Sequence, residues 1–481
     1  MIPNWLLQRA YITPGRLALT FGTKQWTFEQ LYGEAMRRAR QLTSCGLKNG
    51  DRIALLGKST PEMVFIIHGC MMAGLEMVML NSRLSKSELE WQLEDAEVQT
   101  VIVSDDYTEL INESKVRMVT VSELQSMEET AFLPERSWNE DRTITIMYTS
   151  GTTGFPKGVR QTAGNHTSSA LSSVLNLGLS EKDAWLCAMP LFHISGFSIL
   201  VRSVLYGMEV RLYEKFDATN AAMDIRDGKV TRMSVVALTL EKVMEALLDN
   251  DWTVSPHFKT MLVGGGPVAR SILERASELD IPVLQTYGMT ETSSQTATLS
   301  AEDALQKLGS SGKPLFFNEI KIDGAGKANE AGEILIRGPH VTPGYIGRFT
   351  DRQPMVDGWL HTGDIGYLDG DGYLYVVDRR SDLIISGGEN IYPAELENTL
   401  MGHPAVQEAG VCGIEDETWG SVPIAFIVNK IDVTGEELIE YCAARLAKYK
   451  VPKQIVFVDQ LPRNASNKLL RRELKKILPS T

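Results

Sequence analysis

Thr149, Ser150, Gly151, Thr152, Thr153 and Gly154 follow the apolar run Thr145–Tyr148, and Lys157 closes the stretch just before Gly158. Glycine lets backbone N–H groups approach phosphate oxygens closely, and short hydroxyls add donors. A Walker loop has Ser or Thr directly after its lysine, whereas Gly158 follows Lys157 here. The expectation is phosphate binding in another fold and for another reaction.

Further along, Gly264, Gly265 and Gly266 follow the short apolar run Thr260–Val263, at the carboxyl end of a strand where α/β sheets place ligands. The next run, from Pro282, passes through Gln285 and Thr286 into Tyr287, Gly288, Met289, Thr290 and Glu291. Tyr287 offers a flat face to a nucleobase, and Gly288 permits close approach. Thr290 has a hydroxyl for phosphate, and Glu291 a hard oxygen for Mg²⁺. Asp364, read as lying on a tight glycine turn between strands, has two carboxylate oxygens that suit a pair of ribose hydroxyls. Arg379 carries a rigid donor fork that could reach the same ribose or the α-phosphate. By spacing alone, Lys468 is a solvated lysine like most others.

The elements that must position these residues follow from hydrophobic patterning. Apolar runs at Glu76–Leu80, Val101–Val103, Glu209–Leu212, Arg232–Val236 and Thr260–Val263 read as strands between helical stretches such as Pro61–Ala73, an α/β pattern of helix-covered sheets. From about Glu319 to Val377 strand and turn signals alternate, with Asp323-Gly324 and Asp369–Gly372 as turns. That predicts a mostly antiparallel β subdomain, at about 315–378. A small α/β unit of residues 379–481 follows, with the boundary at 378–381.

Composition narrows the class. A chain of 481 residues is too long for one ordinary core. Its net charge of −13 argues against a nucleic-acid partner, whose phosphates need clustered Lys and Arg. The cysteines are scattered without a C-x-x-C pair, and no H-x-x-x-H pair occurs, so neither a disulfide framework nor a structural metal is expected. Met1–Leu7 lacks the basic region and long apolar core of a secretion signal, and no stretch is long enough to span a membrane; a cytoplasmic protein without membrane contact is expected. Assembly into a homo-oligomer is left open.

The loop at 149–158, the Tyr287–Glu291 run, Thr362-Gly363-Asp364, Asp378–Asp382 and the terminal Leu461–Arg471 stretch occur in one order that resembles the adenylate-forming enzymes, the superfamily that includes the acyl-CoA ligases. The resemblance covers about the last two-thirds of the chain, with the N-terminal third as helical scaffold. It implies a large N-terminal domain of residues 1–378 that binds ATP and a carboxylic acid, and a mobile C-terminal lid. Lys468 then enters the active site on that lid, Glu291 holds Mg²⁺, and coenzyme A attacks the adenylate through a channel lined by Gly387 and Gly388. Three departures from the pattern are Asp378 and Ser381 near the hinge and Asn467, where glycine is usual; Asn tolerates the turn best among the alternatives.

The segment Pro190–Gly196 resembles the acyl-pocket segment of the CoA ligases, with His193 bordering the carboxylate to be activated. No acidic residue stands in Phe197–Val201 to hold a substrate amine, which disfavours amino-acid activation. The stretches at 164–166, 175–178, 191–196 and 463–471 resemble one branch of the acyl-CoA ligases, whose substrate is an aromatic acid with a second carboxylate. Asn165, His166, Ser195 and Ser198 are the polar candidates for that second carboxylate, with His166 equally readable as a core histidine. A medium-chain or simple aryl acid, or a nucleotide-binding relative without catalysis, are the alternatives.

Overall fold

The structure, a computed structural model, describes residues 1–149, 156–265, 268, 270–300, 303–304, 306–351, 354–379, 382–386, 389–416, 419–446, 448–464 and 469–478. For 378, 379, 385, 389, 390 and 420 it describes the backbone alone.

Two large sheets organise the N-terminal part. The first has seven strands in the order Gly344–Ile346, Lys157–Thr162, Thr143–Thr149, Glu76–Leu80, Arg52–Leu56, Thr100–Val103 and Arg117–Thr120. The second has nine, and its centre is the parallel run Val283–Tyr287, Thr260–Val263, Arg232–Val235, Ala184–Cys187 and Glu209–Leu212. Parallel strands covered by helices on both faces are apolar on both, and the period-2 alternation of side chains divides each strand between two cores. Ile53, Leu55, Met77 and Met79 join Trp185, Cys187 and Leu262 in one core between the sheets. Ala54, Leu56, Val78 and Leu80 face a second core, and Leu186, Met233, Val235, Met261 and Val263 a third.

The shared core also holds helices Phe28–Ser44 and Pro61–Ala73, the latter buried along nearly its whole length. Thr60 caps this helix by accepting from the Met63 N–H, with Pro61 in the first turn. The helix and the strand Glu76–Leu80 fall where their pattern predicts. The N-terminal third is more than helical scaffold, however: five of the seven strands of the first sheet come from it. Short apolar runs such as Arg52–Leu56 cannot be told from buried helix by periodicity alone.

The β subdomain is antiparallel, as expected, with Glu319–Ile322, Gly332–Arg337, Trp359–Leu368 and Leu374–Arg379 paired around the core of Ile322, Ile334, Ile336 and Leu374. Beyond it the hairpin strands Ile384–Ser386 and Glu389–Ile391 lead into helix Pro393–Met401 and a three-stranded sheet with its own core. Among the described residues, no helix is long and apolar enough to cross a membrane. All five cysteines are buried and unbridged.

Candidate active site

Lys157 and Thr149 face one another across an antiparallel hairpin whose strands, Thr143–Thr149 and Lys157–Thr162, flank the hydroxyl-rich loop. Ser150, Gly151, Thr152, Thr153 and Gly154 lie outside the described residues. The Lys157 ammonium sits over the Tyr345 ring, 5.1 Å from its centroid. Gly264 and Gly265 end their strand beside Thr286, so that a Cβ on Gly264 would stand 3.0 Å from the Thr286 methyl group. Gly266 is not among the described residues.

The Tyr287 and Asp364 segments, far apart in sequence, meet directly. The Tyr287 hydroxyl donates to Asp364 Oδ2 at 2.8 Å, with Asp364 only 6% exposed. Tyr287 is itself 8% exposed and packs into the core of the β subdomain, so most of its ring serves that core. Asp364 does not lie on a turn between strands. It sits within the long strand Trp359–Leu368, where Thr362–Asp364 stand opposite Ile334 in a bulge with Gly363 at φ +72°. A bulge re-aims a side chain without ending the strand, which is how Asp364 reaches Tyr287. Asp364 and Arg379 are register partners on adjacent strands, which places the two proposed ribose contacts side by side in the backbone; the Arg379 side chain lies outside the description.

Gly288 also has a different reason from the one expected. A Cβ there would overlap the Ser294 carbonyl, because the loop after Glu291 folds back with Ser293 at φ +50° and Ser294 at φ +114°. Two successive non-glycine residues with positive φ are strained, and such strain collects at functional sites. Glu291 lies on the short helical turn Thr290–Thr292, and its Oε1 accepts from the Tyr345 hydroxyl at 3.2 Å. Among the described residues no three His, Cys, Asp or Glu side chains gather as a metal cage. A single carboxylate fits Mg²⁺, which takes most of its ligands from phosphate oxygens and water.

Two of the pocket candidates are held by contacts within the protein. Both amide hydrogens of Asn165 are used, on the Pro339 and Val341 carbonyls at 2.9 and 2.8 Å, and its Oδ1 accepts from the Thr162 N–H at 3.0 Å in a capping box. These bonds give Asn165 a structural role where a contact to the substrate was expected. His166 is buried against Phe197 and Trp5, and its Nε2 lies 2.9 Å from Thr145 Oγ1. Thr145 donates to Gln161 Oε1 at 2.6 Å, and Gln161 Nε2 donates to the Thr290 carbonyl at 2.7 Å. With the threonine proton committed, His166 Nε2 must be the donor. Burial pushes its imidazole down to about 3, so it stays neutral. His166 is therefore tied through Thr145 and Gln161 to the Thr290–Glu291 turn, the core-histidine side of the two readings open to it.

His193 precedes the first turn of helix Ile194–Tyr206, ring against Phe192, and its imidazole is pushed down to about 4 by burial and by Arg83. Ser195 and Ser198 lie in the opening turns of the same helix, with Ser198 buried and 3.4 Å from the Ser195 carbonyl.

One turn beyond Ser198 stands a residue that the sequence reading passed over. Arg202 is 1% exposed and lies over the Trp185 ring. Its Nη2 donates to Gln295 Oε1 at 2.8 Å and to Ser294 Oγ at 3.3 Å, and its Nε has no partner among the described residues. Gln295 also accepts from Ser173 on the Ala163–Leu177 helix at 2.6 Å. Ser169 and Ser172 of that helix, and Ser293, are buried hydroxyls without partners among the described residues. Among the described residues, no carboxylate pairs with Arg202. A buried cation surrounded only by neutral dipoles is costly unless an anion arrives. The signal was visible as a lone arginine in the apolar run from Phe197 to Tyr206.

Gly387, Gly388 and Lys468 lie outside the described residues. On either side of 465–468, however, the chain is fixed to the small domain. Arg463 and Leu469 form a bridge, and Arg463 pairs with Glu408 at 2.7 Å. Arg471 makes a two-pronged bond to Glu397 at 2.8 and 2.6 Å and reaches Asp382 at 3.0 Å.

Residues 6–346 match the family described as AMP-binding enzyme, and residues 395–468 match the AMP-binding enzyme C-terminal domain. The 2-succinylbenzoate–CoA ligase of Geobacillus sp. (strain WCH70) is 50% identical over 485 residues, 100% of this chain and 98% of the relative. The solved o-succinylbenzoate CoA synthetase of Bacillus subtilis in complex with the acyl-adenylate intermediate OSB-AMP has a TM-score of 0.93 at 47% identity, over 98% of each chain. The same enzyme in complex with ATP and a magnesium ion has a TM-score of 0.93 at 47% identity, over 98% of this chain and 99% of that one.

Proposed function

The chain belongs to the AMP-binding enzyme family, and on that premise we propose that it activates 2-succinylbenzoate with ATP and passes the acyl group to coenzyme A, a step toward menaquinone. In the first half-reaction a carboxylate oxygen of the acid bonds to the α-phosphorus as the bond to the β-phosphate breaks and pyrophosphate leaves. In the second, the sulfur of coenzyme A bonds to the adenylate carbonyl carbon and AMP departs.

The observation that carries the choice of acid is Arg202, a buried cation whose partners among the described residues are neutral. An acid with one carboxylate spends it on the phosphorus. A second carboxylate would neutralise Arg202 and find hydroxyl donors on the neighbouring helix, which makes a dicarboxylic acid the fitting substrate.

We assign the remaining roles on the same premise. The loop 149–158 with Lys157 holds the departing pyrophosphate. Asp364 and Arg379 hold the ribose, and Lys468 stabilises the charge that grows on the α-phosphoryl oxygens. Mg²⁺, when bound, neutralises the triphosphate, and Glu291 is its protein ligand. Neutral His193 borders the reacting carboxylate. We place the division between the large domain and the lid at 378/379, and the reaction in the cytoplasm, where ATP and coenzyme A are supplied.

The test is AMP release dependent on ATP and coenzyme A across a panel of acids. 2-Succinylbenzoate should exceed benzoic and medium-chain fatty acids in kcat/KM by about 10² or more. Faster turnover of a monocarboxylic acid would reject the assignment of the acid and leave the ligase chemistry in place.

A further inference from the structure

The stretch from Thr342 to Phe349 belongs to none of the motifs, yet it touches both halves of the phosphate site. Its strand Gly344–Ile346 is the edge of the seven-stranded sheet, with Tyr345 opposite Val159 on the strand that begins at Lys157. It thus rides on the hairpin that carries the phosphate loop. The same stretch grips Glu291 twice. The Thr342 N–H donates to the Glu291 carbonyl at 2.7 Å, and the Tyr345 hydroxyl donates to Glu291 Oε1 at 3.2 Å. The ring of Tyr345 carries the Lys157 ammonium at 5.1 Å, with the Phe349 ring also beside it at 6.0 Å.

Lys157 and Glu291 are opposite charges on the two ends of one side chain, and they form no ion pair with each other. A direct pair would be self-defeating. It would occupy the cation meant for phosphate and the carboxylate meant for the metal that travels with ATP. A phenol can hold both at once, because its hydroxyl donates to an anion while its ring face attracts a cation.

We propose that Tyr345 is a positioning residue that keeps Lys157 and Glu291 apart and aimed at MgATP, its ring seating the ammonium and its hydroxyl fixing one carboxylate oxygen. The proposal rests on the ligase reading above, in which these two residues serve ATP. On binding, the triphosphate draws Lys157 off the ring, a short movement from a weak seat.

The test measures binding of α,β-methylene-ATP, which cannot react, against Mg²⁺ concentration, with AMP as control. Tyr345→Phe keeps the ring and removes the hydroxyl, and should raise the Mg²⁺ concentration for half-maximal binding about tenfold. Tyr345→Leu removes the spacer as well, and should weaken binding of the analogue further as Lys157 pairs with Glu291. AMP, which lacks the β- and γ-phosphates, should bind both variants as it binds the wild type. An unchanged Mg²⁺ dependence in Tyr345→Phe, a variant that preserves the packing, would overturn the proposal. So would an equal loss of AMP and analogue affinity, which would mark a merely structural residue. If the wild type binds neither nucleotide, the ligase reading itself fails.

Discussion

The proposed nucleotide side and the proposed acid side of the site are built in opposite ways. On the nucleotide side polar groups are already satisfied by the protein: Tyr287 on Asp364, Tyr345 on Glu291, and His166, Thr145 and Gln161 in series onto the Thr290 carbonyl. On the acid side, among the described residues, Arg202 has neutral partners, and several hydroxyls around it have none. The first side is organised before its ligand arrives, which suits a co-substrate common to every reaction of this type. The second is left electrostatically incomplete, and in the proposed reaction the second carboxylate of the acid completes it. Selectivity then resides where the protein is least satisfied on its own.

The largest effect should come from the nucleotide side and be blind to the acid. Lys468→Ala should reduce adenylate formation by about 10²–10³, the scale of removing one charge-stabilising group. The loss should be the same fraction for 2-succinylbenzoate as for a slow monocarboxylic acid. Thioester formation from adenylate made beforehand should change far less. Pyrophosphate exchange and single-turnover thioester assays separate the two half-reactions. Equal losses in both would remove Lys468 from the adenylation step.

Arg202→Met should show the reverse pattern and a smaller effect. A charge-assisted contact is worth roughly 1.5–3 kcal/mol, so kcat/KM for 2-succinylbenzoate should fall about 10–10². Monocarboxylic acids should lose nothing or gain. Replacing a buried cation by an apolar chain of similar length is often neutral or stabilising, so Tm should hold or rise. Uniform loss across all acids would dissolve the contrast between the two sides.

The same contrast explains what could be read from the sequence. Nucleotide motifs are contiguous, so Tyr287–Glu291 and the loop at 149–158 stood out, as did strands such as Thr260–Val263 and the antiparallel β subdomain. The acid side is assembled from three separate stretches, 169–173, 198–202 and 293–295, whose convergence no local pattern announces. The run Phe197–Val201, which holds no acidic residue, ends one position short of Arg202, the proposed partner of the second carboxylate. Asn165 and His166 lie close to pocket residues in the chain, but their helix faces turn them to Pro339 and Thr145. The bulge at Asp364 was read as a turn because Gly363 has the same conformation in either, and only the pairing with the neighbouring strand distinguishes them.

The smallest effect concerns how the satisfied side responds to acid. His166 titrates near 3 in the folded chain against an ordinary value of 6.5, because burial disfavours its charged form. The unfolded chain therefore binds a proton below about pH 6.5 that the folded chain refuses. This contribution is constant above that pH, and stability falls as pH drops from 6.5 toward 3, by up to about 1.4 kcal/mol per pH unit for this one site. Urea unfolding at pH 7 and pH 5 should give a weaker pH dependence in His166→Gln than in the wild type, by no more than that slope. In ¹⁵N-histidine spectra of the folded wild type, His166 should keep its proton on Nε2 and remain neutral at pH 5. A charged imidazole at pH 5 would mean that the series through Thr145 and Gln161 opens in the folded state. The nucleotide side would then be no more complete in itself than the acid side.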